Sequence, residues 1–124
     1  MNGARGLAVC AALLGAAGVV LAALGAHLPT VADDPGRFRS WQAANLIHLV
    51  HVPVLLVLAL KAESSLRPPG WGLLAGVLCF SGSIYLAGFL GWSRPGPIAP
   101  TGGLLLIASW LWLAVAAWRE GRSS

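Results

Sequence analysis

The chain has 124 residues, of which 57% are hydrophobic and 10% are charged, with a formal net charge of +4 and a mean hydropathy of +0.78. A soluble domain carries roughly 25% charged residues, and a small domain buries the smallest fraction of its surface, so this composition argues against a soluble fold. The Lys and Arg residues are spread between apolar segments without interleaved aromatic residues, which argues against a nucleic-acid-binding surface.

Four apolar segments are long enough to cross a bilayer, since a transmembrane helix needs about 20 mostly apolar residues. We predict helices at about 6–26, 42–60, 71–91 and 98–118. The connections hold most of the proline and charged residues and are short, which predicts that consecutive helices are antiparallel neighbours. The sequence therefore predicts one all-α domain over residues 1–124, an up-down four-helix transmembrane bundle.

The first span follows Arg5 and ends in small residues near Ala26, as a cleaved signal peptide would, but its apolar run exceeds the usual 7–15 residues. We therefore expect it to be retained. Basic residues then indicate the orientation. The side of the termini and second connection holds Arg5, Lys61, Arg67, Arg119 and Arg122. The other side holds Arg37, Arg39 and Arg94. This excess predicts that both termini are cytoplasmic.

Small residues recur along the first span at a spacing of three and four, the pattern that lets helices approach closely in lipid. They are Ala8, Ala11, Gly15, Gly18, Ala22 and Gly25. Gly72 and Gly76 form a similar pair in the third span. A biased composition would explain the abundance of these residues but not their spacing. We therefore expect the first helix to be central and closely packed, with Leu14, Leu21 and Leu24 facing lipid.

Polar side chains inside the spans are costly in lipid and are therefore functional candidates. They concentrate in the half of the bundle near the first and third connections. The candidate cluster comprises His27, Gln42, Asn45, His48, His51, Ser81, Ser83, Tyr85 and Thr101. At a rise of about 1.5 Å per residue, His51 is expected level with Ser81, and His48 level with Tyr85.

Three interpretations of this cluster stay open: a structural polar network, an outward-facing polar cavity, and metal or haem ligation. His48 and His51 are three residues apart on one helix, so they cannot be opposite axial ligands of one haem. No zinc-type pattern is present, and Cys10 and Cys79 are interpreted as small buried hydrophobic residues. Ser81 and His51 could be read as a nucleophile and its general base. All acidic residues lie outside the spans, however, so no carboxylate is available to orient the histidine. The sequence therefore predicts no catalytic, cofactor or metal site.

Several motifs, taken together, resemble one family of small membrane proteins, the domain of unknown function 423, related to the eukaryotic transmembrane protein 256 group. The matching segments are residues 25–27 (GAH), 41–44 (WQAA) with the later His51, 80–86 (FSGSIYL), and 97–103 (PIAPTGG) with the later Trp110. The resemblance covers nearly the whole chain.

The resemblance implies a four-helix inner-membrane protein and implies no activity. Four positions depart from the family pattern, and these are Ala43, Asn45, Pro53 and Pro97. The matching motifs fall on the polar cluster that the spans already single out.

The expected function is that of a non-enzymatic structural or assembly component of the membrane. Its expected partners are the lipid bilayer and a homo-oligomer or larger membrane complex, with no nucleic acid. One alternative hypothesis is a transporter or channel component that binds a small solute or a lipid in the outward-facing cavity. Another is a membrane protein associated with a redox cofactor.

Overall fold

The computed structural model describes residues 2–92, 94 and 96–123, and these residues form helices with no β-strand. The helices are α1 (Gly3–His27), α2 (Pro29–Ala32), α3 (Pro35–Leu60), α4 (Arg67–Leu90) and α5 (Ile98–Ser123), with a 3-10 turn at Ser64–Leu66. The four long helices, α1, α3, α4 and α5, are each long and apolar enough to cross a membrane. The predicted all-α fold with four membrane helices is confirmed.

Consecutive long helices are neighbours in space, which gives the predicted up-down order. The main contacts join α1 to α3, α3 to α4, and α4 to α5. Of the most apolar stretch of 18 residues in each helix, 50% of the residues are buried in α4, against 17% in α1. The bundle is therefore built on a central pair, α3 and α4, with α1 and α5 on its two flanks.

The prediction that the first helix is central is wrong, because α1 packs mainly against one neighbour, α3. Gly18 and Gly25 are buried, and a Cβ at either would collide with a side chain of α3, Leu49 or Trp41 respectively. Gly15 makes an ordinary contact with Val52, also of α3. Ala8 and Ala11 pack in the core near the termini, whereas Ala22 is exposed.

The three leucines expected on the lipid-facing side of α1 also point elsewhere. Leu14, Leu21 and Leu24 are only partly exposed and pack against the apolar core. The exposed side of α1 carries Leu13 and Val19 instead, with exposed fractions of 65% and 66%. The lipid face is thus rotated from the predicted one, because these leucines and most of the small-residue stripe turn toward the protein interior.

Small residues of α4 do provide close helix contacts, and they face α5. A Cβ at Gly72 would collide with the hydroxyl of Ser109, and one at Gly76 would lie 2.8 Å from Leu106 Cδ2. On the other helix, Gly102 of α5 lies closer still to α4, because a Cβ at Gly102 would meet backbone atoms of Phe80 and Cys79. Glycine on both helices therefore brings the two backbones together.

Helix α3 begins at Pro35, seven residues before the predicted span at 42. Asp34 caps it by accepting a hydrogen bond of 2.9 Å from the Arg37 N–H, which lowers the pKa of the Asp34 carboxyl. The first turns of α3 are polar and basic, so an apolar window marks where the membrane span begins but not where the helix begins. Helix α5 likewise continues to Ser123, beyond the predicted end at 118.

We call the end of the bundle that carries α2 and the connection between α4 and α5 the α2 end. Arg37 ties it together, since its guanidinium donates hydrogen bonds to the carbonyls of Thr30 and Gly91. Gly91 ends α4 in the left-handed conformation with φ of 72°. The first turn of α3 is thereby joined to both connections at this end.

Candidate functional site

Three polar side chains meet where α1, α3 and α4 converge, and we call them the polar network: Asn45, His48 and Tyr85. Asn45 and His48 lie three residues apart on α3 and so share a face of that helix. His48 Nδ1 lies 2.9 Å from the Tyr85 hydroxyl, and Asn45 Nδ2 lies 3.2 Å from the same oxygen. His48 is 2% exposed and Tyr85 is 6% exposed, so the network is buried.

The network reaches α1 through two backbone carbonyls. His48 Nε2 lies 2.7 Å from the Leu14 oxygen, and Asn45 Nδ2 donates to the Gly18 oxygen at 3.0 Å. The absence of a side chain at Gly18 allows this approach, because a Cβ there would lie 3.3 Å from His48 Nε2. The small-residue stripe of α1 therefore exposes backbone acceptors to the polar residues of α3.

With His48 neutral, the partners determine the direction of each hydrogen bond in the network. A carbonyl only accepts, so His48 Nε2 carries the proton and donates to Leu14. The other ring nitrogen of a neutral histidine then accepts, so the Tyr85 hydroxyl donates to His48 Nδ1. Asn45 Nδ2 donates to the Tyr85 oxygen. The chain of bonds is thus complete with a neutral histidine.

His51 lies outside this network and bonds toward the other flank of the bundle. The Trp110 indole N–H of α5 donates to His51 Nε2 at 3.0 Å. His51 Nδ1 lies 2.6 Å from the carbonyl of Ile47 and therefore donates to it. His51 is also neutral in this arrangement, and both of its ring nitrogens are occupied.

The remaining candidates divide into one further helix contact and four residues that join no other helix. Ser81 of α4 is 1% exposed and donates to the Ala44 carbonyl of α3 at 2.7 Å. Ser83 and Thr101 donate to carbonyls of their own helical segments, Phe80 and Pro97. The other two, His27 and Gln42, are exposed and stand apart from the polar network.

Sequence reasoning missed three buried or bonded residues that support these contacts: Trp41, Ser109 and Trp110. Trp41 is 2% exposed, and its indole donates to the Leu21 carbonyl at 2.8 Å. Its ring packs edge-on against Tyr85 with centroids 4.9 Å apart. The indole N–H was an available signal, because a tryptophan inside a span needs an acceptor for it. Ser109 was also recognisable as a polar residue inside the predicted span 98–118, but it lies away from the half of the bundle that holds the other candidates.

No three His, Cys, Asp or Glu side chains lie together in a way that could hold a metal ion, as far as the structure describes the chain. A crevice of about 180 Å³ between α1 and α4 is lined in part by His48, Ser81 and Tyr85. The hydrogen-bonding atoms of these three side chains are engaged within the protein. Chemically, the arrangement holds helices together and offers no free base, nucleophile or metal ligand at the crevice.

Removing the Tyr85 hydroxyl tests the polar network. A Tyr85→Phe variant leaves His48 Nδ1 and one Asn45 bond without a partner, so we expect the free energy of unfolding to fall by about 1–2 kcal/mol. Denaturation in mixed detergent micelles measures it. The control is Thr101→Val, which removes an exposed hydroxyl and should change stability by less than about 0.5 kcal/mol. Equal stability of the two variants would contradict the network's role.

Comparison with known proteins matches most of the chain to one family of membrane proteins. Residues 21–103 match the family described as protein of unknown function (DUF423). The UPF0382 membrane protein YwdK of Bacillus subtilis (strain 168) is 33% identical over 114 residues, covering 85% of this chain and 93% of that protein. The UPF0382 membrane protein SAB0533 of Staphylococcus aureus (strain bovine RF122 / ET3-1) is 28% identical over 114 residues, covering 86% and 93%. No solved structure matches.

Proposed function

This chain belongs to the DUF423 family of small membrane proteins, and we propose that it is a non-enzymatic structural or assembly component of a bacterial inner membrane. Four helices with short connections leave little of the chain outside the bilayer. An assembly role therefore has to act mainly through surfaces within the membrane.

The observation that carries this proposal is the use made of polar groups inside the spans. Asn45, His48, His51, Ser81 and Tyr85 each bond to a neighbouring helix. Such bonds fix the register and rotation of helices in lipid, where apolar contact alone is not selective. Because these polar side chains bond to neighbouring helices, they hold the bundle in one shape. This supports a protein that presents a defined outer surface to a partner.

The same contacts weigh against the transport alternative. That hypothesis requires His48, His51, Ser81 and Tyr85 to line a water-filled cavity open to the outside. A polar group that serves a solute has to exchange its partner for the solute, and here each would first have to break a buried protein hydrogen bond.

A cofactor-associated role meets a similar obstacle at the histidines. An axial or metal-ligating histidine binds through an unprotonated ring nitrogen. In His48 that nitrogen, Nδ1, accepts from Tyr85, and in His51 it is Nε2 and accepts from Trp110. Ligation at either residue would require the side chain to leave its present partner.

The flanking helices offer the surfaces through which an assembly would form. Leu13 of α1 is 65% exposed, and Leu104 and Leu111 of α5 are 68% and 64% exposed. Both helices lie at the sides of the central pair, so a partner can approach either one without disturbing the core.

Photo-crosslinking in intact membranes tests the proposal. A photoreactive amino acid placed at Leu13, Leu104 or Leu111 is expected to give a discrete protein adduct, either with a second copy of the chain or with a larger membrane protein. The protein purified in mild detergent should then migrate as that oligomer or complex. The matched control is Leu73, which is 0% exposed and should give no adduct between chains. A strictly monomeric protein without adducts at all three exposed positions would overturn the assembly role.

A further inference from the structure

A groove of about 320 Å³ runs between α1 and α3 at the α2 end of the bundle. Its α1 wall consists of Ala22, Gly25 and Ala26, and its α3 wall extends from Phe38 to Leu49. At about 1.5 Å per residue, the α3 wall is about 16 Å long, close to half of the roughly 30 Å hydrocarbon thickness of a bilayer. The α3 wall of the groove is therefore about as long as one leaflet is thick.

The polarity of the α3 wall changes along the groove. The aromatic rings of Phe38 and Trp41 line the end nearest α2, the amides of Gln42 and Asn45 follow, and Leu46 and Leu49 lie further into the span. A lipid in one leaflet has the same order, since its headgroup lies at the surface and its chains extend toward the centre. The wall carries no Lys, Arg, Asp or Glu side chain, so it fits an amphiphile better than an ionic solute.

Asn45 supplies a fixed hydrogen-bond acceptor in this wall. Its amide nitrogen donates to both the Gly18 carbonyl and the Tyr85 hydroxyl, which holds the amide in one orientation. Its Oδ1 accepts no hydrogen bond from any residue that the structure describes and is not a fully buried atom. Gln42, one turn earlier on α3, is exposed and adds a second amide to the same wall.

From this arrangement we propose that the groove binds one membrane lipid. The Asn45 and Gln42 amides accept hydrogen bonds from a donor in its headgroup, and one acyl chain lies along Leu46 and Leu49. The small residues of α1 make room for the chain, because Ala22 and Ala26 are exposed and short. The donor is either the ammonium of an ethanolamine headgroup or a hydroxyl of a glycerol headgroup, whereas a choline headgroup has neither.

Native mass spectrometry of the protein released from lipid nanodiscs tests this proposal. Phosphatidylcholine is mixed in equal amounts with phosphatidylethanolamine in one arm and with phosphatidylglycerol in the other, all with the same acyl chains. We expect one retained lipid per chain and an excess of the donor lipid on the order of fivefold to thirtyfold, which is what one or two hydrogen bonds contribute. The arm that shows the excess identifies the donor as ammonium or hydroxyl.

Two variants locate the site. Ala22→Leu fills the groove and should abolish the retained lipid. Gln42→Leu removes one amide and should reduce the preference for the donor lipid. Both residues are exposed, so neither change disturbs the core. The matched control is Ala23→Leu, also on the exposed surface of α1 but outside the groove wall, which should behave as the unmodified protein.

Equal retention by the Ala22→Leu and Ala23→Leu variants, or no preference over phosphatidylcholine in either arm, would overturn the proposal. The lipid site goes beyond the proposed assembly role and does not depend on it. The same spectra report the number of chains in each particle. A monomer that retains a donor lipid would support the lipid site while contradicting the assembly role.

Discussion

A Gly102→Ala variant is expected to unfold with a free energy about 3 kcal/mol lower than that of the unmodified protein. The added Cβ would lie 2.8 Å from Phe80 Cα and 2.9 Å from the Cys79 carbonyl carbon, and closer still to the Phe80 nitrogen. These are backbone atoms of α4, which cannot rotate away as a side chain can. Helix α5 must therefore move outward, which loosens contacts such as that between Gly76 and Leu106.

The neighbouring glycine provides the control for this prediction. A Cβ at Gly103 would lie 3.7 Å from Phe80 Cδ1, an ordinary van der Waals contact. Gly103→Ala should therefore leave stability unchanged or raise it slightly, since alanine favours the helix more than glycine does. Denaturation in mixed micelles, followed by tryptophan fluorescence, compares the two. Equal denaturation midpoints would mean that α4 and α5 are not in backbone contact at this position.

The four helices and their up-down order could be predicted from apolar length and short connections, whereas the identity of the central helices could not. Gly18 and Gly25 indicate that α1 approaches some helix closely, but the spacing does not say which one. The answer lies in Leu49 and Trp41, bulky residues of α3 that fill the spaces over these glycines. Helix α4 is central because it packs closely on both sides, at Gly76 against Leu106 and at Gly88 against Trp41.

The candidate cluster was only partly predictable for a geometric reason. Each step of three residues along a helix turns the side chain back by about 60°, so four such positions spread over about 180°. Gln42 therefore lines the groove between α1 and α3, where it is exposed. Asn45 and His48 face α1 and α4, and His51 faces α5. The sequence pattern grouped these residues by depth, and depth alone does not bring side chains together.

Serine and threonine were predictable as polar residues but not as partners. Ser81 bonds to another helix, while Ser83, two positions later, bonds to its own. Both outcomes satisfy the hydroxyl in lipid, because a helix carbonyl one turn earlier is always within reach. Only the rotation of α4 decides between them, and that rotation depends on packing at Gly72 and Gly76.

Trp41→Ala is expected to cost about 3–5 kcal/mol, the range for truncating a buried tryptophan. The ring lies over Gly25 of α1 and Gly88 of α4, and it contacts Tyr85 and Phe89 edge-on. Its loss leaves a cavity where α1, α3 and α4 meet. Trp118→Ala is the matched control, because Trp118 is 68% exposed and its removal should change stability by less than about 1 kcal/mol.

Trp41→Phe separates packing from hydrogen bonding at this site. It keeps a ring in contact with Tyr85 but leaves the Leu21 carbonyl without the indole donor, so a smaller loss of about 1–2 kcal/mol is expected. Unfolding free energies from the same mixed-micelle denaturation rank the variants. A loss in Trp41→Phe equal to that in Trp41→Ala would mean that the hydrogen bond, and not the ring, holds α1 in place.

Trp41 should also help to position the polar network, because its ring packs edge-on against the ring of Tyr85. A double-mutant cycle of Trp41→Ala with Tyr85→Phe measures this dependence. The combined loss should be smaller than the sum of the single losses by about 1 kcal/mol, because Tyr85 that has lost its support can no longer hold His48 and Asn45 fully. Strictly additive losses would mean that the network keeps its geometry without the tryptophan, and that its anchor lies in the carbonyls of Leu14 and Gly18.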